Sequence, residues 1–249
     1  MKNLNAILTI LFSCISFLTS AQTSGIISYT EVSKLSISTE NLPEGIDLTG
    51  MFPSSSTVNK ELYFDGKKSL YKDGENDVAD MEMSSDDGSF HIVMMESNTE
   101  ALLYMDRAKN EIIDQQDFMG KAFVVSYEMP KYKWKITNEK VKYLDYECMK
   151  ATTTNDEGEV VVAWFAPSLR SGSGPATYGQ LPGAILMLSV NDGQVEIKAT
   201  KVDLKNIKEI KKPKDGKKVS LEEYDKIKEE KMKEMEDEYG AGAVIEFKG

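Results

Sequence analysis

The sequence predicts a β-dominated α+β fold built on antiparallel sheet, shaped as a bowl, a sandwich or an open barrel. Three observations carry this. Residues 194–201 alternate Val195, Ile197 and Ala199 with Glu196, Lys198 and Thr200, which gives one buried and one wet face. The β-rich runs are separated by turn formers such as Asp65-Gly66, Asp87-Gly88, 155–158 and Asn191-Asp192-Gly193. No long 3.6-residue period occurs before residue 210, so crossover helices and a parallel sheet are not expected.

Taken in order, strands are expected within residues 25–37, 57–71, 90–96, 101–106, 111–117, 121–129, 131–137, 141–152, 159–166, 184–190 and 194–201. After Ile210 the character changes. Residues 211–218 form a basic Pro/Gly linker, and Ser220-Leu221-Glu222-Glu223 has capping-box spacing, so a helix should start there. Leu221, Tyr224, Ile227, Met232, Met235 and Tyr239 make a loose apolar stripe among alternating Lys and Glu, and Gly240 is placed to stop the helix. The stripe either packs on the sheet or meets a partner.

The N-terminus reads as an export signal. Met1-Lys2-Asn3 is followed by an apolar stretch over 6–18, and Thr19-Ser20-Ala21 offers small residues for cleavage after Ala21. The stretch is shorter than the roughly 20 residues a spanning helix needs, and no later one approaches that length, so no transmembrane anchor is expected. The organisation is therefore 1–21 signal peptide, 22–210 antiparallel β domain, and 211–249 basic linker with charged helix. The expected destination is the periplasm, the outer membrane surface or the exterior. Thirty Lys+Arg against 41 Asp+Glu give a net charge of −11, which repels nucleic-acid phosphates.

Catalytic and metal chemistry find little support. Processing removes Cys14 and leaves Cys148 without a disulfide partner, reading as a small half-buried strand residue. The only histidine, His91, sits in a strand-like run with no motif placing a nucleophile beside it. One histidine and one mature cysteine are too few for an ordinary zinc site, and the acidic turns 73–77 and 84–87 lack EF-hand spacing. No cofactor and no metal are expected. Paired carboxylates for glycoside hydrolysis stay open, because 41 acidic residues provide many pairs that only a fold could assemble.

Residues 167–183, PSLRSGSGPATYGQLPG, are long for a connection inside a compact domain and lead into the apolar run 184–190. Gly174, Pro175, Tyr178, Gly179, Leu181, Pro182 and Gly183 make this the candidate ligand or partner loop, with tight turns at Gly174-Pro175 and Leu181-Pro182-Gly183. The alternative is a corner that carries the chain from one sheet edge to another.

The run Gly179-Gln180-Leu181-Pro182-Gly183-Ala184-Ile185-Leu186 resembles the Gly-Leu-Pro-Gly-Leu-Ile signature that names the GLPGLI family of exported Bacteroidetes proteins. Trp134-Lys135-Ile136, the segment 146–152, Ala163-Trp164-Phe165-Ala166-Pro167 and Gly174-Pro175 fall in the family's order, so the resemblance spans roughly 25–204. Gln180 and Ala184 depart from the signature's glycine and leucine. The resemblance implies similarity to the N-terminal bowl-like domain of type II peptide N-glycosidase F, and hence a curved antiparallel sheet forming a bowl or open half-barrel. It supplies no catalytic residues.

The functional expectation is a non-catalytic envelope protein that holds an apolar ligand or a partner segment on a concave sheet face. Lipid, glycan or envelope protein are the candidate partners, with Trp134 and Trp164 as core aromatics. A carbohydrate-active accessory domain or hydrolase, and a structural partner of an outer-membrane complex, are the alternatives.

Overall fold

The computed structural model describes residues 24–34, 54–74, 81–84, 91–94 and 100–239. The signal segment 1–21, the turn Asp87-Gly88 and Gly240 lie outside the described residues, as do most of the acidic turns 73–77 and 84–87.

The main element is one 12-stranded sheet. Its first half contains β1 (Gly25–Lys34), β2 (Ser55–Phe64), β3 (Lys68–Asp73), β6 (Leu102–Asp106), β7 (Glu111–Phe118) and β8 (Lys121–Glu128). A separate antiparallel ladder, β4 (Met81–Ser84) with β5 (His91–Met94), falls between β3 and β6 in sequence. The second half contains β9 (Lys135–Tyr143), β10 (Tyr146–Thr154), β11 (Val160–Ala166), β12 (Ala184–Val190) and β13 (Val195–Leu204). β14 (Lys217–Ser220) and α1 (Leu221–Tyr239) complete the chain. The order is β14-β8-β7-β6-β3-β2-β1-β13-β12-β11-β10-β9. Two meanders are thus fused where β1 pairs antiparallel with β13.

The expected run 141–152 is two strands, because Leu144 and Asp145 adopt φ of 45° and 65° and turn the chain between β9 and β10. Neither residue is glycine, which hid the turn. Antiparallel pairing holds throughout the sheet except at β14, which runs parallel to β8.

Connectivity forces the sheet to curl. β8 and β9 stand ten strand positions apart, about 48 Å in a flat sheet at ~4.8 Å per step. Residues 129–134 join them, and the seven backbone steps from Glu128 to Lys135 reach at most about 25 Å. The chain can close that distance only if the sheet rolls into an open half-barrel.

Register assigns the two faces. Tyr71, Leu103, Asp114 and Val125 lie opposite one another along one row, so the face bearing Leu62, Phe64 and Tyr71 also bears Phe123 and Val125. This concave face carries the main core, which includes Ile27, Tyr29, Phe165, Ile185, Leu188 and Ile197. At its rim Tyr224 of α1 packs on Phe123 and Phe118, with ring centroids 5.2 Å and 6.2 Å apart. The capping box forms as the sequence predicts: Ser220 N–H donates to Glu223 Oε2 at 2.9 Å, and Glu223 N–H donates to Ser220 Oγ at 3.2 Å.

The convex face carries a second cluster of Tyr104, Ile113 and Val124 with Tyr63 and Leu70. Ile207 and Ile210 pack on it from the segment that leaves β13. Residues 205–216 therefore form a strap across the convex side before β14 joins the edge, and the expected boundary at 210/211 falls inside this packed segment.

Candidate functional site

The segment 167–183 lies on the concave side and is largely buried. Ser171, Ser173, Gly174, Pro175, Gly179, Leu181 and Gly183 are buried, while Tyr178 is half-buried and Pro182 exposed. Backbone hydrogen bonds tie the segment down. Ala184 N–H donates to the Leu169 carbonyl at 2.8 Å, Ile185 N–H to Ser173 at 3.0 Å, and Gln180 N–H to Gly172 at 3.0 Å.

The glycines act through close approach more than through turn geometry. A Cβ on Gly183 would lie 2.1 Å from the Ala166 carbonyl oxygen, and one on Gly174 2.6 Å from that of Tyr178. Positive φ falls instead at Gly172, Ala176 and Gln180. Gln180, with φ of 68°, occupies a left-handed position of the kind that glycine adopts without strain.

Side chains stitch this segment to the link between β8 and β9. Trp134 Nε1 donates to the Gly179 carbonyl at 2.8 Å, and Gln180 Nε2 to that of Pro130 at 2.6 Å. The Tyr132 and Thr177 hydroxyls lie 2.9 Å apart, and the Tyr132 ring stacks on Tyr178 at 5.1 Å. From the β6–β7 turn, Arg107 Nη1 donates to Ser173 Oγ at 2.8 Å. The segment 167–183 thus plugs the bowl and contacts both of its halves, with Gly179 and Tyr178 among the contacting residues and Pro182 left exposed. Trp134 is part of this plug. Trp164 packs against the same core from β11, with the Lys150 ammonium 5.9 Å from its ring centroid.

On the concave side Tyr71 Oη donates to Glu31 Oε2 at 2.9 Å and the Lys60 ammonium lies 6.0 Å from the Tyr71 ring centroid, whereas Cys148 and Asp114 stand apart from this group. Cys148 is fully buried, and burial pushes its thiol up to about 11. Burial likewise raises Asp114 to about 6. Its near neighbour is Gln116, whose Nε2 donates to Asp114 Oδ2 at 3.4 Å. His91 lies on β5, opposite Ser84. Among the described residues no group of three or more His, Cys, Asp or Glu could hold a metal ion.

The larger described pocket lies on the other side, between the convex face and the strap. It is a groove of about 400 Å³ with Tyr63, Leu70, Leu102 and Ile210 as its apolar surface. Lys72, Lys211, Lys212 and Lys214 line it together with Glu100, Glu209 and Asp215. Lys72 pairs with Glu100 at 3.0 Å and lies 5.9 Å from the Tyr63 ring centroid. Lys212 pairs with Glu111 at 2.6 Å, and Asp215 N–H donates to Gln115 Oε1 at 3.1 Å. Lys211 and Lys214 have no partner among the described residues. Sequence reasoning missed this groove. Its signal was the pair Ile207 and Ile210 inside a lysine-rich run, which marks a segment lying on apolar surface rather than in solvent.

A rolled antiparallel sheet with a plugged concave side and an edge helix defines a bowl-type β domain. The chain belongs to the family described as N-glycanase peptide, N-terminal domain, whose model matches residues 92–229, more than half its length. Two solved structures of PNGF-II share the fold. The one in space group P21 has a TM-score of 0.52 at 18% identity and covers 82% of this chain and 33% of its own. The one in space group C2 gives 0.50 at 19%, covering 81% and 32%. The chain thus spans about a third of those structures' length. No curated protein matches it. No helix among the described residues is long and apolar enough to cross a membrane.

Proposed function

We propose that the chain is an exported, non-catalytic binding module of the cell envelope, and that its ligand-contacting site is the convex groove beneath the strap. The observation that carries this is the groove itself: aromatic and aliphatic side chains along a surface edged by charges, among them Lys211 and Lys214, which have no partner among the described residues. The concave face was the expected site, but residues 167–183 fill it around the main core and α1 covers its edge. The same reading places the chain in the GLPGLI family, on the strength of 179–188 and the flanking segments. Export rests on the leader-like residues 1–21.

The occupant is an apolar or amphipathic envelope component: a lipid, a glycan or a polypeptide segment. Native mass spectrometry of protein purified from its own envelope tests this. Wild type should carry such a component and Leu102→Lys should lose it. Wild-type protein that carries none, or a variant that retains it unchanged, contradicts the proposal.

A second reading, an accessory module for glycan hydrolysis, is favoured by the family match and by the one-third coverage of PNGF-II. A glycan panel tests it, and the absence of both binding and cleavage would remove it.

A further inference from the structure

We infer that the plugged concave side holds a buried site for a small monovalent anion of the halide class, bound between Arg107, Ser69 and Ser173. This site lies across the sheet from the groove and does not rest on it. Two side-chain atoms among the described residues are buried without a hydrogen-bond partner, Ser69 Oγ and Arg107 Nη2. Native interiors seldom tolerate such atoms, because each gives up water and gains nothing in exchange. Register brings the two together. Ser69 pairs with Phe64 on the concave face and stands opposite Met105, while the Arg107 N–H donates to the Lys67 carbonyl at 3.0 Å. Ser69 and Arg107 are therefore diagonal neighbours across β3 and the end of β6. Arg107 Nη1 turns the guanidinium toward the plug by donating to Ser173 Oγ at 2.8 Å, and that hydroxyl still has its own proton to give.

The groups gathered here are donors, and one of them carries a charge. Arg107 forms no ion pair among the described residues. Asp65 and Asp106 act on its guanidinium from further off, and their carboxylates already accept backbone N–H groups, from Lys67 and Lys68 at 3.0 Å and 2.7 Å and from Ala108 at 3.1 Å. Burial outweighs both acids and pulls the guanidinium below its ordinary value. This is a cation short of a counterion. A water bridging the two orphan atoms would satisfy their hydrogen bonds and leave the buried charge uncompensated, whereas an anion does both. The chain's net charge of −11 opposes anions in general, but donors in contact in a dry setting outweigh distant charges that solvent screens. Size follows from burial. Ser69 and Ser173 are 0% exposed, which leaves no way out for the tail of a carboxylate or a phosphate ester and selects a single-atom ion. Once bound, the ion ties β3, the β6–β7 turn and the segment 167–183 together.

Urea unfolding of the full chain in chloride against methanesulfonate, at equal ionic strength, tests the site. At about ten times the half-saturating chloride concentration the unfolding constant should fall about elevenfold, because only the folded chain assembles the donors. Ser69→Ala removes one donor and should raise the half-saturating concentration about tenfold. Arg107→Gln should abolish the response. Should that variant fail to fold, Ser69→Ala and a direct view of the ion still decide the matter. A crystal grown in bromide should show an anomalous peak within hydrogen-bond distance of both Ser69 Oγ and Arg107 Nη2. Equal unfolding constants in chloride and methanesulfonate overturn the inference. So does an undiminished chloride response in Ser69→Ala, and so does density between the two atoms without anomalous signal, which marks a water only.

Discussion

Residues 167–183 and residues 205–216 both read as connections, yet the fold uses them in opposite ways. The first is Gly/Pro/Ser-rich and looks exposed, but its glycines let backbone approach backbone and it becomes part of the core. The second is lysine-rich and looks solvated, but Ile207 and Ile210 anchor it on the convex face and leave a groove beneath. Small residues in a long connection can therefore mark burial, and two apolar residues three apart in a charged run can mark a strap.

The sharpest way to break this contrast is Gly183→Ala. Its Cβ would sit 2.1 Å from a backbone oxygen that β11 fixes, so we expect a loss of about 4 kcal/mol or more, or failure to fold, read by denaturant titration. A mild effect would show that the plug is loose. Ile210→Ala should cost about 2–4 kcal/mol, because that side chain is 6% exposed, and should enlarge the groove. A neutral result would mean that the strap merely rests on the sheet.

Asp114 probes the concave side near α1. Its folded pKa of about 6 lies above the ordinary 3.8, so its contribution to stability is present below about pH 4 and lost as pH rises through about 6. Asp114→Asn should therefore stabilise the protein at pH 8 by up to about 3 kcal/mol, with the difference vanishing near pH 4 in thermal melts. The smallest effect belongs to Ser220→Ala. It removes the cap of a helix that touches the sheet mainly through its first two turns, and should cost about 1 kcal/mol.

Most of the architecture was legible because period-two alternation and turn residues act locally. Strands β7, β8, β11, β12 and β13 fall within a few residues of their predicted ranges, and the Ser220–Glu223 capping box forms as read. The Leu144-Asp145 turn escaped notice because non-glycine residues hold positive φ there. β14 escaped notice because four residues of Lys-Lys-Val-Ser carry no alternation of their own and become strand only by pairing with β8. The candidate site was less legible than the fold. Convex and concave faces are assigned by register and by the short β8–β9 link, neither of which a linear pattern reveals.

Hydrogen exchange followed residue by residue tests the plugged bowl most directly. The Gln180, Ala184 and Ile185 amides, each bonded to a carbonyl of residues 169–173, should exchange as slowly as those of the central strands β1 and β13. Exchange of these three at the rate of the exposed Asp156 and Glu157 amides would contradict a filled concave face and return the binding site to the inside of the sheet.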